Sequence, residues 1–384
     1  MDSAVARSRE LIEKWDAELR RELPSDAEIF DAHLHLGHDI DGMSGQYEEL
    51  ERIMDRYGIS KAFMFCMDEP DREPAFRAPN DRTLEFAERS GGRLIPFVRL
   101  DLTGESPIEE ATRCLDRGAR GIKLHPRAQR FTLNDERLAP VFELAAERRV
   151  PILIHGGRGL PPIADHLSRL VERYPEAQLI IAHGGIADMA ALAGAFAGRK
   201  GVFFDTSVWS PVDLLDFFHQ VPPEQILYAS DYPYGRQPQS LLIALRTAIT
   251  AGLNEDQLRD LLAGNATRIA DGETPLEPSK GSGDGEFRQS MALARIHQYL
   301  SMAIPLLWTR QSDTIGVIGL ALNASSERDG YPDELDQIKE LLSAAQDVWR
   351  ALPEIEDEGE RVATSRSVFA LIHLADIIAV TPGA

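Results

Sequence analysis

The stretch VPILIHGG, residues 150–157, is an apolar run that ends in a histidine and two glycines. A short continuous apolar run bounded by turn residues reads as a strand buried on both faces. The same design returns in QLIIAHGG, residues 178–185. Moving outward, further strand candidates appear at EIFDAHLH (28–35), KAFMFCM (61–67), RLIPFVRL (93–100), RGIKLH (120–125), VFFDTS (202–207) and ILYASD (226–231). Between them lie segments with helical apolar spacing, such as YEELERIMDRYG (47–58), SPIEEATRCLDRG (106–118) and DERLAPVFELAAERR (135–149). Most open near Ser, Asp or Pro, and several close near Gly, as helices do. Units of about 30 residues are the size of βα repeats. Eight in succession predict an α/β fold, a closed (β/α)8 TIM barrel. The competitor is a doubly wound open sheet, which wants a phosphate-binding glycine loop after its first strand. The sequence has none there.

The barrel pattern stops near NATRIA (265–270), and DGETPLEPSKGSGDGE (271–286) reads as a linker rich in Gly, Pro, Ser and acid. The expected organisation is an N-terminal helix at 1–27, the barrel at 28–271, a linker at 272–286 and a mostly helical C-terminal region at 287–384. Within that region TIGVIGLALNAS (314–325) is open between helix and strand. The 384 residues carry a net charge of -21, which disfavours nucleic acid and anionic membrane surfaces as partners. No run of about 18 apolar residues is present, and the N-terminus reads as a charged amphipathic helix, not a signal peptide. Cys66 and Cys114 make no disulfide framework. A cytoplasmic location and a small-molecule substrate are the expectations, with a homo-oligomer left open.

Barrel active sites form at the C-terminal ends of the strands. Side chains alternate along a strand, so Asp31, His33 and His35 are expected to share the inward face, with Ala32 and Leu34 toward the outer helices. Lys123 and His125 share the inward face of the fourth strand. His155, His183 and Asp231 are expected to end the fifth, sixth and eighth strands. Taken alone, a His-x-His pair or a strand-end histidine is more often a hydrogen-bonded core or turn residue. Here five strands would have to end in such residues, in register, by chance. Four histidines and a carboxylate at one mouth suit a divalent metal, with zinc the natural match to imidazole. A metal lowers the pKa of its water to about 7 and so supplies a nucleophile at neutral pH. A buried ammonium at Lys123 is expensive without a partner.

At these residues the chain resembles the amidohydrolase superfamily, most closely the amidohydrolase-related branch that includes the aminocarboxymuconate-semialdehyde-decarboxylase-like proteins. The resemblance runs through DAHLHLG, GIKLHP, PILIHGG, IIAHGG, YASDYPYG and GNATRI, over residues 28–270. It implies that His33, His35, His155 and Asp231 bind one divalent metal. It also implies that His183 and Asp231 handle substrate and protons, His183 becoming a ligand in two-metal members. Lys123 has three readings. It is an ammonium that grips an anionic substrate, a carboxylated bridge between two metals, or a structural partner of Asp31 or Asp205. His125 is a substrate-contact candidate, as are Arg127 and Arg158, which can grip a carboxylate. Weaker candidates are Asp205, His38, Asp39, Phe65, Met67 and Trp209. The implied activity is that of a metal-dependent hydrolase in which activated water attacks a carbonyl-type carbon. The alternatives are a metal-dependent non-oxidative decarboxylase of a small aromatic or unsaturated acid, and a catalytically silent barrel acting as a binding or scaffold protein.

Overall fold

The computed structural model describes residues 2–104, 106–208, 210–279, 281, 289–308, 311, 314–327 and 330–383. Nine strands form one sheet: β1 (Ile29–His38), β2 (Ser44–Gly45), β3 (Ile59–Cys66), β4 (Leu94–Arg99), β5 (Gly121–Leu124), β6 (Ile152–Ile154), β7 (Leu179–Ile181), β8 (Val202–Asp205) and β9 (Ile226–Leu227). The order is β2-β1-β3-β4-β5-β6-β7-β8-β9. All neighbours are parallel except β2, a short antiparallel arm on the end of β1 that the sequence did not announce. The barrel closes through the segment after β9. Ala32 N donates to Tyr228 O at 2.9 Å, Asp231 N to His33 O at 2.8 Å and His35 N to Tyr232 O at 2.7 Å. The eight predicted barrel strands are therefore present, most of them shorter than read.

Two apolar layers hold the barrel. Phe30, Phe63, Phe65, Phe97, Leu153, Ile180, Phe203 and Leu227 pack inside it. Leu34, Met64, Ile122, Ile154 and Phe204 pack outward with the helices. The expected alternation fails at one place. Ala32 belongs to the inner layer, not to the helix-facing one. The cause is a register shift between Asp31 and Leu34, where three steps on β1 match two on β3. Such a bulge turns the residues after it by one position relative to those before it. His33 and His35 still reach the interior, but Asp31 is separated from them. It accepts instead from Ser230 N at 2.9 Å and His33 N at 3.2 Å.

The C-terminal region holds the helices Met291–Trp308, Thr314–Ala324, Pro332–Ala351 and Glu358–Val380, so the ambiguous TIGVIGLALNA segment is helical. The N-terminal helix Asp2–Glu22 packs on the last two, and Glu358–Val380 also reaches the barrel helices Gln239–Thr250 and Pro211–Gln220. Glu358–Val380 meets the length and composition expected of a membrane span. Its Leu371, Ile372, Leu374, Ala375 and Ile378 are buried within the protein, as in the central helix of a packed helical layer. Of the expected linker, 272–279 and 281 carry no helix or strand, and its other residues lie outside the described ones.

Candidate active site

Three side chains from the two ends of the sheet converge at the barrel mouth. His33 Nε2 and His35 Nε2 are 3.2 Å apart, and each lies 3.3 Å from Asp231 Oδ1. These three donor atoms lie within 4.8 Å of one another, and all three residues are buried. The tautomers follow from the partners on the far side of each ring. His33 Nδ1 sits 2.7 Å from Asp205 Oδ2, so it carries the proton and donates to that carboxylate. His35 Nδ1 faces the Cys66 carbonyl at 3.5 Å. Burial, followed by the positive charge of Lys123, holds both imidazoles well below the usual histidine range. Both are thus neutral, with their Nε2 lone pairs aimed at one point beside a carboxylate oxygen. Two lone pairs and an anion in contact repel each other unless a cation sits among them, and this donor set fits a divalent one.

A second group stands beside the first. The ring of His183 lies 5.1 Å from that of His33, centroid to centroid. Its Nδ1 is 3.1 Å from Ser207 O and 2.9 Å from Ser207 Oγ. A carbonyl only accepts, so Nδ1 carries the proton, and Ser207 Oγ in turn donates to Asp205 Oδ1 at 2.5 Å. His183 Nε2 then accepts from His155 Nδ1 at 3.0 Å. Asp205 also accepts from His183 N at 2.8 Å, so one buried carboxylate orients both histidine groups. His125 stacks on His155 with centroids 3.9 Å apart and planes at 11°. The second glycine after His155 has a steric reason. A side chain at Gly157 would meet His155 Cε1 at 2.6 Å.

Two site residues hold left-handed backbone, His183 at φ 59° and Asp231 at φ 58°. Such strain costs on the order of 1–3 kcal/mol for a non-glycine residue and collects at functional sites. It also corrects a detail of the sequence reading. His155, His183 and Asp231 do not end their strands but stand in the turns just beyond Ile154, Ile181 and Leu227.

Lys123 is 1% exposed, and its Nζ lies 3.2 Å from His33 Nε2 and 4.5 Å from the Phe65 ring centre. Burial pulls its pKa down, against the opposing pull of Asp231 and Asp205. Among the described residues it makes no ion pair, so the salt bridge to Asp31 or Asp205 is not formed. Burial likewise pushes Asp231 up. Asp31 is raised to about 7 by the same cause, despite its bonds to Ser230.

Not every predicted residue joins this centre. His155 stands beside it but is engaged with His183 and His125, outside the three-atom group. Arg127 and Arg158 are exposed. Arg158 is 73% exposed at its side chain and pairs with Asp213 at 2.5 Å, so neither arginine reaches the cluster. The reason is that both lie on outer loops beyond the strand ends. His38 is exposed at the end of β1, and Asp39 accepts from Tyr234 OH at 3.0 Å, a loop contact. Phe65 flanks both first-strand histidines, and Met67 is buried. Trp209 lies outside the described residues.

Arg99 was missed. It follows an apolar run in RLIPFVRL and is 2% exposed at the end of β4, next to Lys123 in register. Its Nη1 donates to the Cys66 carbonyl at 3.3 Å, while Nε and Nη2 are buried without a hydrogen-bond partner among the described residues. Its charge lowers the pKa of His35 and His125, though burial does more. The available signal was an arginine at the inward position of a barrel strand, the same signal as Lys123.

The family model described as amidohydrolase matches residues 31–269. Among solved structures, an amidohydrolase from Burkholderia multivorans with bound zinc is 14% identical, with a TM-score of 0.51 over 64% of this chain and 99% of that one. 2,6-Dihydroxybenzoate decarboxylase complexed with 2,6-dihydroxybenzoate is 17% identical, with a TM-score of 0.50 over 64% and 99%. An uncharacterised TIM-barrel protein from Bordetella bronchiseptica is 15% identical, with a TM-score of 0.50 over the same shares. At these identities the likeness concerns the fold, and it covers 64% of this chain. A search of curated protein sequences finds no match to this chain.

Proposed function

The chain belongs to the amidohydrolase family, and from that premise we propose that it is a metal-dependent hydrolase of a small carbonyl-type substrate carrying a carboxylate. The observation that supports it most is the meeting of His33 Nε2, His35 Nε2 and Asp231 Oδ1 within 3.3 Å of one another. A divalent ion held there would supply an acidified water and polarise a carbonyl oxygen. The chain's own groups do the rest. Asp205 fixes the tautomer of His33. Asp231, whose carboxylate burial makes more basic, can take a proton. His183 is held by Ser207 and passes a proton at Nε2. Arg99 and Lys123, adjacent on β4 and β5, make no ion pair among the described residues and would hold a substrate carboxylate. A desolvated carboxylate between two such donors is held by charge-assisted hydrogen bonds.

The test begins with metal analysis of the purified protein, for which close to one divalent ion per chain is expected, with zinc the first candidate. Replacing both His33 and His35 by alanine should remove metal and activity while the circular dichroism stays that of a folded barrel. Undiminished metal in that double variant would overturn the ligand assignment. A panel of carboxylate-bearing lactones, amides and acids then finds the substrate class.

A decarboxylase remains the second reading, because Arg99 favours a carboxylate in the site whichever bond is broken. Labelled water separates the two. Hydrolysis incorporates solvent oxygen into the product, whereas decarboxylation releases carbon dioxide and incorporates none.

A further inference from the structure

Where the helix Glu358–Val380 crosses the rim of the barrel, it roofs a cavity of about 990 Å³. Small-molecule sites span about 300–1,000 Å³, so this one is large. None of His33, His35, His155, His183 or Asp231 lines it, although Ser207, which holds His183, stands in its wall. Its apolar lining includes Leu307, Trp349 and Phe369 from the C-terminal region. Arg9, Arg236, Arg361 and Arg366 also reach it.

Those arginines break the habit of the molecule. The chain has 62 acidic residues against 41 basic ones, and its other partly buried arginines are mostly tied to acids. Arg82 pairs with Glu69 and Asp71, Arg113 with Glu110 and Asp81, Arg246 with Glu22. At the cavity the pairing runs out. Arg236 gives Nη1 to Glu49 at 2.8 Å, but its Nη2 is buried and has no hydrogen-bond partner among the described residues. Arg361 donates to the Ile355 carbonyl at 2.9 Å and, among the described residues, to no carboxylate. Arg366 is half-buried and makes no ion pair among the described residues. Burial and then the neighbouring Arg236 charge hold it below the usual arginine range, and Glu49 offsets this in part. The acids in the lining, Asp41 and Glu358, are exposed to solvent. A partly desolvated pair of guanidinium groups with spare N–H donors is costly unless an anion joins it.

We propose that this cavity binds a small organic carboxylate with an apolar body, its head group held by Arg236 and Arg366 and its body packed among Leu307, Trp349 and Phe369. The apolar lining argues for a body attached to the anion. Glu49 already satisfies one guanidinium in part, which leaves room for a single negative charge. The site needs no metal, so it stands or falls apart from the hydrolase reading.

Isothermal titration of the full chain with octanoate, octan-1-ol and inorganic phosphate tests it. Octanoate should saturate at one site per chain, and the alcohol and phosphate should each bind at least tenfold more weakly. Arg366→Gln should weaken octanoate at least tenfold. Ala370→Phe, which fills the lining from the same helix, should do the same with both guanidinium groups in place. The variant lacking His33 and His35 should bind octanoate unchanged, which keeps the two sites distinguishable. Absent octanoate binding, binding unchanged by both cavity substitutions, or equal affinity for octan-1-ol or phosphate would each overturn the proposal.

Discussion

Lys123 Nζ stands 3.2 Å from His33 Nε2 on the inner face of β5, with Arg99 beside it on β4. As an ammonium it is dispensable for metal binding, because His33, His35 and Asp231 converge without it. Lys123→Ala should therefore keep the metal occupancy of the parent and lower turnover by on the order of 10²-fold, the usual scale for losing one positioned polar group. A carboxylated lysine bridging two ions would behave differently. Occupancy would fall from about two, and that result in metal analysis would replace the one-metal reading. Arg99 lends itself to an opposite pairing of effects. Arg99→Met removes two buried unpartnered donors and should stabilise the protein by about 1–3 kcal/mol in denaturant titration. The same change should raise KM for a carboxylate substrate at least tenfold while metal stays bound. Lower stability together with unchanged KM would show that Arg99 is structural.

The helix Glu358–Val380 carries His373, whose pKa burial lowers from 6.5 to about 4. A histidine kept neutral in the folded chain favours folding above its unfolded value and loses that contribution as pH falls. The window here runs from 6.5 down to about 4, and for this half-buried group, which also lines the cavity, the loss amounts to at most ~3 kcal/mol. His373→Leu should flatten the fall in stability between pH 7 and pH 5 relative to the parent. Parallel curves for the two proteins in denaturant titrations across that range would refute the assignment. The barrel elements show the opposite economy. The bulge in β1 costs ladder regularity but delivers two histidines to one point, and the αL turns at His183 and Asp231 aim side chains that straight strands would have directed elsewhere.

The whole molecule is a barrel carrying its chemistry at one end and a helical layer against one side. Every residue of the candidate metal centre precedes residue 232, so a chain ending at Gly281 should retain its metal. It should also aggregate, because Leu11, Trp15 and Leu19 on the N-terminal helix are buried and that helix packs against the removed helices. An exposed apolar face of that size drives association, and size-exclusion chromatography with metal analysis reads both outcomes. Loss of metal from a soluble truncated barrel would show that the C-terminal helices help to build the site.

The repeat of apolar runs and helical segments fixed eight βα units from sequence alone, because burial of parallel strands on both faces forces a pattern that local residues must obey. The same periodicity placed His33, His35 and Lys123 at the mouth. The bulge at Asp31 was not legible, since a register shift arises between strands and leaves no mark within one. Arg99 was equally hidden. Its partner-free N–H groups are a property of what surrounds it, and the residue by itself reads as an ordinary strand-end arginine. Arg127 and Arg158 failed for the converse reason. Adjacency in sequence to strand ends does not carry a loop side chain into the barrel. The cavity under Glu358–Val380 joins residues 9, 236 and 366, and only the packing of distant helices on the barrel brought those charges to one place.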